Sequence, residues 1–137
     1  MNKIIAYCDG AYSPARKTSG SGVVLLKDDK IILKFGKKFI GGTNNTAELC
    51  AVILAMKSIT KPIDEFEVYS DSMYIIGTIN DNWAIRSNKK LWNRFKECYI
   101  NLRKLCPKIS FHWVKGHDKN QYNNLADSLA VNASIAI

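Results

Sequence analysis

Two aspartates sit where a divalent cation would be useful. Asp9 closes the alternating apolar stretch Lys3–Asp9, and Asp71 follows the short apolar stretch Phe66–Tyr69 with only Ser70 between. If those stretches are parallel neighbouring strands, both carboxylates lie at one sheet edge, where two bare charges repel. A divalent cation, or one strongly raised pKa, reconciles them. Oxygen-only ligands in such a place suit Mg²⁺ or Mn²⁺ better than zinc, which prefers nitrogen and sulfur. Each acid also has a plain structural alternative. Asp71 stands before a helical pattern and could be an N-cap. Glu48, three residues after Asn45, could complete a capping box. Asp9 before Gly10 could be a turn residue. Asp127 shares a helical face with Asn123, Asn124 and Val131 and reads as a solvated helical aspartate, which periodicity would not select. His117 falls in a loop after the last predicted strand, where an imidazole could shuttle a proton or simply be exposed. His112 lies within that strand and is assigned no role.

The elements that must hold these groups follow from hydrophobic periodicity. Lys3 to Asp9 is a strand; a Gly and Ser rich turn, Ser19 to Gly22, leads into Val23–Leu26; Asp28-Asp29 marks a hairpin turn; and Ile31 to Ile40 is a third strand whose Lys34, Lys37 and Lys38 face solvent or a ligand. From Asn45 the period becomes helical, with Leu49, Val52, Ile53 and Met56 on one face and Pro62 beyond the end. Phe66–Tyr69 is a strand, Ser72–Asn80 a short helix, Lys89–Leu105 a long helix, Ile109–Val114 a last strand and Tyr122–Ser134 a closing helix. Strands first, then strand and helix in alternation, argue for an α/β fold whose later strands run parallel to the first through helical crossovers. Ligands in such sheets bind beyond the carboxyl ends of the parallel strands.

Composition narrows the partner. The 137 residues carry 20 Lys and Arg against 12 Asp and Glu, a net charge of +8, with an ordinary globular share of apolar residues. One domain spanning 1–137 is expected, long enough for a core without disulfides. The positive excess favours nucleic acid, because basic side chains release counterions from phosphates; an anionic membrane surface would instead need a basic amphipathic helix with large apolar residues. Cys8, Cys50, Cys98 and Cys106 form no C-x-x-C pair and read as reduced, buried thiols. Asp9 interrupts the first apolar run before it could serve as a signal peptide, and Leu49–Met56, the longest wholly apolar run, is too short to span a bilayer. A monomer in the cytoplasm is expected.

Five blocks then stand in order: Tyr7-Cys8-Asp9-Gly10, Thr43-Asn44-Asn45-Thr46-Ala47-Glu48-Leu49, Tyr69-Ser70-Asp71-Ser72, Trp113-Val114-Lys115-Gly116-His117 and Asn123-Asn124-Leu125-Ala126-Asp127. Together they resemble type 1 ribonuclease H over essentially the whole chain. The resemblance implies a ribonuclease H-like fold, a five-stranded mixed sheet of order 3-2-1-4-5 with helices on both faces. It implies that Asp9, Glu48, Asp71 and Asp127 are the metal-binding acids, with Asp9 bridging, and that His117 is the mobile catalytic histidine. Two Mg²⁺ ions, or Mn²⁺ in their place, would then cut the RNA strand of an RNA/DNA hybrid, leaving 5′ phosphate and 3′ hydroxyl ends. Gly10, Thr43, Asn44, Asn45 and Asn123 match substrate contacts able to reach minor-groove hydroxyls and phosphates; a polar helix entry is the plain reading of Thr43-Asn44-Asn45.

The chain also departs from the family pattern. Met73 stands where members often have Gln, so one interaction with a base edge is expected to be missing or replaced. Only Asp81–Asn88 stands where many carry a long basic insertion, and Arg86, Lys89, Lys90, Arg94, Lys96, Arg103 and Lys104 could compensate from the long helix or be its solvated face. Trp83 is a candidate for packing on the DNA strand's sugars, while Trp92 and Trp113 read as core. Lys119 replaces a glycine common in the histidine loop. The rivals are an integrase or resolvase on the same fold, a module that binds hybrids without cutting them, and a membrane-surface protein.

Overall fold

The structure of the protein is a computed structural model, which describes residues 1–116 and 120–137. Strand β1 (Lys3–Ser13) buries Ile4, Ala6 and Cys8 on one face and sends Ile5 and Tyr7 to the other, the two-residue alternation of a pleated strand. It pairs antiparallel with β2 (Thr18–Lys27), which pairs antiparallel with β3 (Lys30–Ile40). Asp28 and Asp29 make the β2–β3 turn with φ of 52° and 62°, the left-handed pair whose twist suits a two-residue hairpin and favours Asp and Asn.

β4 (Glu65–Ser70) and β5 (Lys108–Trp113) extend the other side of β1 in parallel, so the five-stranded mixed sheet has the order β3-β2-β1-β4-β5. Helices α1 (Asn44–Lys57), α2 (Met73–Asn80) and α3 (Lys89–Arg103) connect the strands, and α4 (Gln121–Ser134) closes the chain. The larger core joins Cys8, Val23 and Leu25 to Leu49, Val52 and Met56 of α1, Phe66 and Val68 of β4, and Trp92 and Phe95 of α3. On the opposite face α4 packs Ala126, Leu125 and Leu129 against Val24 and Leu26. Helices therefore cover both faces, as the resemblance implied, and the face of α1 predicted from spacing is the face that is buried.

Three sequence readings are corrected. Ser19–Gly22 is not a turn; it is buried strand within β2. A Cβ on Gly20 would lie 2.1 Å from the Ala130 carbonyl oxygen, and one on Gly22 would lie 2.1 Å from that of Ala126. The glycines are there because α4 rests directly on the strand, a use of glycine that looks like turn chemistry in sequence. Asp9 does not end β1, which continues to Ser13; only its parallel pairing ends there, with Cys8 opposite Ser70. Trp113 is not core: it is 48% exposed at the end of edge strand β5, and its indole N–H donates to the Asp71 backbone carbonyl at 3.0 Å. Trp92, by contrast, is 2% exposed and donates to the Tyr74 hydroxyl. The four thiols are free, Cys8 and Cys106 buried and Cys50 and Cys98 only partly so.

Candidate metal centre

Pairing between β1 and β4 stops at Cys8 and Ser70, and the next residue on each strand is an aspartate. This puts Asp9 and Asp71 side by side where the two parallel strands separate. Glu48 arrives from the second turn of α1. That approach depends on Gly10, since a Cβ there would lie 2.2 Å from the Glu48 backbone nitrogen. One carboxylate oxygen from each of Asp9, Glu48 and Asp71 lies within 4.8 Å of the other two, the one such group of potential metal ligands among the described residues. Asp127 reaches the same place from α4 on the far side of the sheet and makes a side-chain hydrogen bond with Asp9, so three of the four predicted acids form the tight set and the fourth touches it through Asp9.

None of the acids is consumed by a structural task. The α1 N-cap is Thr43, whose hydroxyl accepts from the Thr46 backbone N–H at 3.1 Å, while Thr46 returns a bond to Thr43 and completes the box. Glu48 is left out of it. At α2 the N-cap is Ser72, accepting from the Ile75 N–H at 3.2 Å, and Asp71 is left out in the same way. Asp9 is in a strand, 4% exposed, with only its own neighbour Gly10 donating a backbone bond to it.

The electrostatics are those of a site short of positive charge. Burial pushes Asp9 up to about 9, with the Asp71 charge adding to it and the Asp127 contact following. Glu48 is pushed up to about 7, chiefly by burial and further by Asp71, with a hydrogen bond from Ser72 opposing the rise. Carboxyl groups packed like this need either a shared proton or a cation. An all-oxygen donor set of this kind fits a hard divalent ion, so Asp9, Glu48 and Asp71 are residues that could hold one.

The chain's RNase H profile match covers residues 1–135, and a curated ribonuclease H from Clostridium botulinum is 36% identical to it over 95% of this chain and 94% of its own length. The chain belongs to the ribonuclease H family. A ribonuclease H from Ehrlichia ruminantium is 38% identical over 95% of this chain and 93% of the relative. Among solved structures, ribonuclease H1 of Halobacterium salinarum superposes with a TM-score of 0.78 at 25% identity, covering 96% of both chains. LC11-RNase H1, solved in complex with an RNA/DNA hybrid, matches the fold with a TM-score of 0.76 at 22% identity over 95% of both chains. As a ribonuclease H the protein is a hydrolase that cuts RNA.

Around this ribonuclease H centre the remaining predicted residues scatter. Asn44 carries a side-chain oxygen that accepts from the Tyr12 N–H at 2.9 Å, tying the start of α1 to the end of β1; Thr43 and Asn45 are exposed beside it. Met73 is 61% exposed in the first turn of α2. Trp83 is 46% exposed and lies flat over Gly77, where a Cβ would meet three ring carbons at 2.7 Å. Asn123 is only 1% exposed and its side-chain oxygen has no hydrogen-bond partner among the described residues. His117 and Lys119 lie outside the described residues. His112, assigned no role from sequence, stacks on Tyr69 with ring centroids 4.9 Å apart and contacts Ser110.

Two neighbours escaped sequence reasoning. Ser72 caps α2 and also bonds Glu48; its place directly after Asp71 at a helix start was a usable signal. Gly116 abuts Asp71, with a Cβ there falling 2.6 Å from the Asp71 carboxylate oxygen, and nothing local in the sequence announces that contact.

Proposed function

We propose that the protein is an endonuclease hydrolysing the RNA strand of RNA/DNA hybrids with two divalent ions, Mg²⁺ or Mn²⁺, leaving 5′ phosphate and 3′ hydroxyl ends. The observation that carries this reading is the convergence of Asp9, Glu48 and Asp71 within 4.8 Å where β1 and β4 diverge. Asp9 lies between the Glu48–Asp71 side and Asp127, which suits it to be the shared ligand, with the other three acids completing the two shells. Bound there, divalent ions would neutralise charge at the scissile phosphate and lower the pKa of the attacking water. The chain's own part is to keep four carboxylates oriented and partly dry. Ser72 bonds Glu48, Trp113 bonds the Asp71 backbone carbonyl, and Gly116 leaves room for the Asp71 carboxylate.

His117 is assigned proton transfer or product release after the last strand. Substrate contacts are assigned to Gly10, Thr43, Asn44 and Asn45 at the α1 entrance, to Asn123 on α4, and to Met73 and Trp83 along α2. The +8 charge favours a polyanion, and no helix among the described residues is long and apolar enough to cross a membrane. The family relationship and the hybrid bound by LC11-RNase H1 point to the same substrate. A cytoplasmic monomer is the form we propose.

A labelled RNA/DNA hybrid incubated with and without Mg²⁺ tests the reading, with end analysis of the fragments and a matched DNA duplex as competitor. Cleavage of the RNA strand alone, dependent on the ion and abolished in Asp9→Asn while binding persists, is expected. Preference for the DNA duplex, or unchanged turnover in Asp9→Asn, would overturn it.

A further inference from the structure

A second charged constellation lies away from the acids, on the sheet face opposite α4. Lys37 of β3, Lys57 of α1 and Arg94 of α3 line one small pocket of about 110 Å³, walled by Phe39, Ile53 and Leu54. These cations come from three elements widely separated in sequence, and among the described residues no Asp or Glu lines the pocket with them. The salt bridges among the described residues, Lys3–Glu67, Lys108–Glu65 and His112–Glu67, are all elsewhere. Lys37 is drawn over the Phe39 ring, 5.6 Å from its centroid, so its ammonium is held against the pocket wall. Three exposed cations that line one apolar-walled pocket, with no acid among its described lining residues, make a surface that attracts an anion.

Size and charge narrow that anion. The space is small and open on one side, which suits a compact oxyanion better than a bulky ligand. A guanidinium can grip two phosphate oxygens at once while ammonium groups act as point charges. Three cations match a dianionic phosphate monoester better than the single charge of a backbone diester.

We propose that Lys37, Lys57 and Arg94 form a binding site for a dianionic phosphate group, supplied either by free inorganic phosphate or by the monoester at a 5′-phosphorylated nucleic-acid end. The site is separate from the acid cluster and does not depend on the hydrolytic reading, since its test needs neither metal nor turnover.

Cys50 lines the pocket and is partly accessible, whereas Cys98, also partly accessible, lines a neighbouring cavity instead. The two thiols are therefore a reporter and its internal control. Alkylation by neutral iodoacetamide is followed at each cysteine by mass spectrometry in the metal-free protein, with inorganic phosphate titrated against chloride of equal ionic strength. Filling the site to four-fifths is expected to slow Cys50 alkylation about fivefold by mass action and to leave Cys98 unchanged. The protection should vanish in Lys37→Gln/Arg94→Gln. A second arm compares a single-stranded oligonucleotide bearing a 5′ phosphate with the same oligonucleotide bearing a 5′ hydroxyl. Stronger protection by the phosphorylated one assigns the site to a nucleic-acid end; equal effects beside clear protection by inorganic phosphate assign it to the free anion. Phosphate no more protective than chloride, or protection that survives the double substitution, overturns the proposal.

Discussion

Asp9 holds its proton up to about pH 9 in the folded chain, against an ordinary value of 3.8, and Glu48 up to about 7, against 4.5. Both pKa values are raised, so the folded metal-free state binds more protons than the unfolded one between those limits. The contribution of these two groups to stability is therefore fully present below about pH 4 and is lost as the pH rises through 7 and then 9. Melting temperatures in chelator should fall across that range, and saturating Mg²⁺ should flatten the curve. Asp9→Asn, which removes the need to take up a proton at this position on folding, should melt higher than the parent in chelator at pH 8 and respond less to Mg²⁺. A melting temperature in chelator that ignores pH would remove the electrostatic argument for the site. Ser72 gives a quieter test. Because it orients Glu48 without being a ligand, Ser72→Ala should raise the Mg²⁺ concentration needed for cleavage about tenfold, the lower range for groups that orient metal ligands, while leaving hybrid affinity in chelator unchanged.

At the scale of elements, close approaches decide where the acids stand. Gly22 lies beneath the Ala126 carbonyl of α4, one residue before Asp127. Gly22→Ala should cost about 3 kcal/mol in a denaturant titration, the upper end for overpacking, because the obstructing atom is backbone and cannot rotate aside. Thr43→Ala should cost about 1 kcal/mol by loss of the α1 cap. These elements also show what could be read in advance. Alternation in Lys3–Asp9 and the helical spacing of Leu49, Val52, Ile53 and Met56 placed the start of β1 and the buried face of α1 correctly, because burial on one face is a local property of the sequence. Gly20 and Gly22 misled, since a glycine freed for a turn and a glycine cleared for a helix look alike until the distant helix is known. The acids were visible as letters, yet capping accounted for Glu48 and Asp71 equally well; only the structure shows Thr43 and Ser72 taking those tasks. Trp113 was misread because the end of an edge strand outruns the core that its sequence pattern suggests.

For the molecule as a whole, charge governs how the substrate is met. With +8 overall and α3 carrying Lys89, Lys90, Arg94 and Lys96, hybrid binding by Asp9→Asn should weaken steeply with salt, the logarithm of affinity falling by about 0.7–0.9 per phosphate neutralised. Lys89→Ala/Lys90→Ala should lower that slope by about one for every phosphate the lysines neutralise, as measured by anisotropy across a KCl series; an unchanged slope would mark these lysines as merely solvated. The same overall view gives meaning to the hydroxyl caps. Since Thr43 and Ser72, and not the carboxylates, accept the capping bonds of the first turns of α1 and α2, a bound ion could leave without fraying the helices that would carry its ligands. Backbone amide exchange at those turns should be insensitive to chelation, and the empty centre should reload as fast as ions diffuse to it, with no refolding step in between.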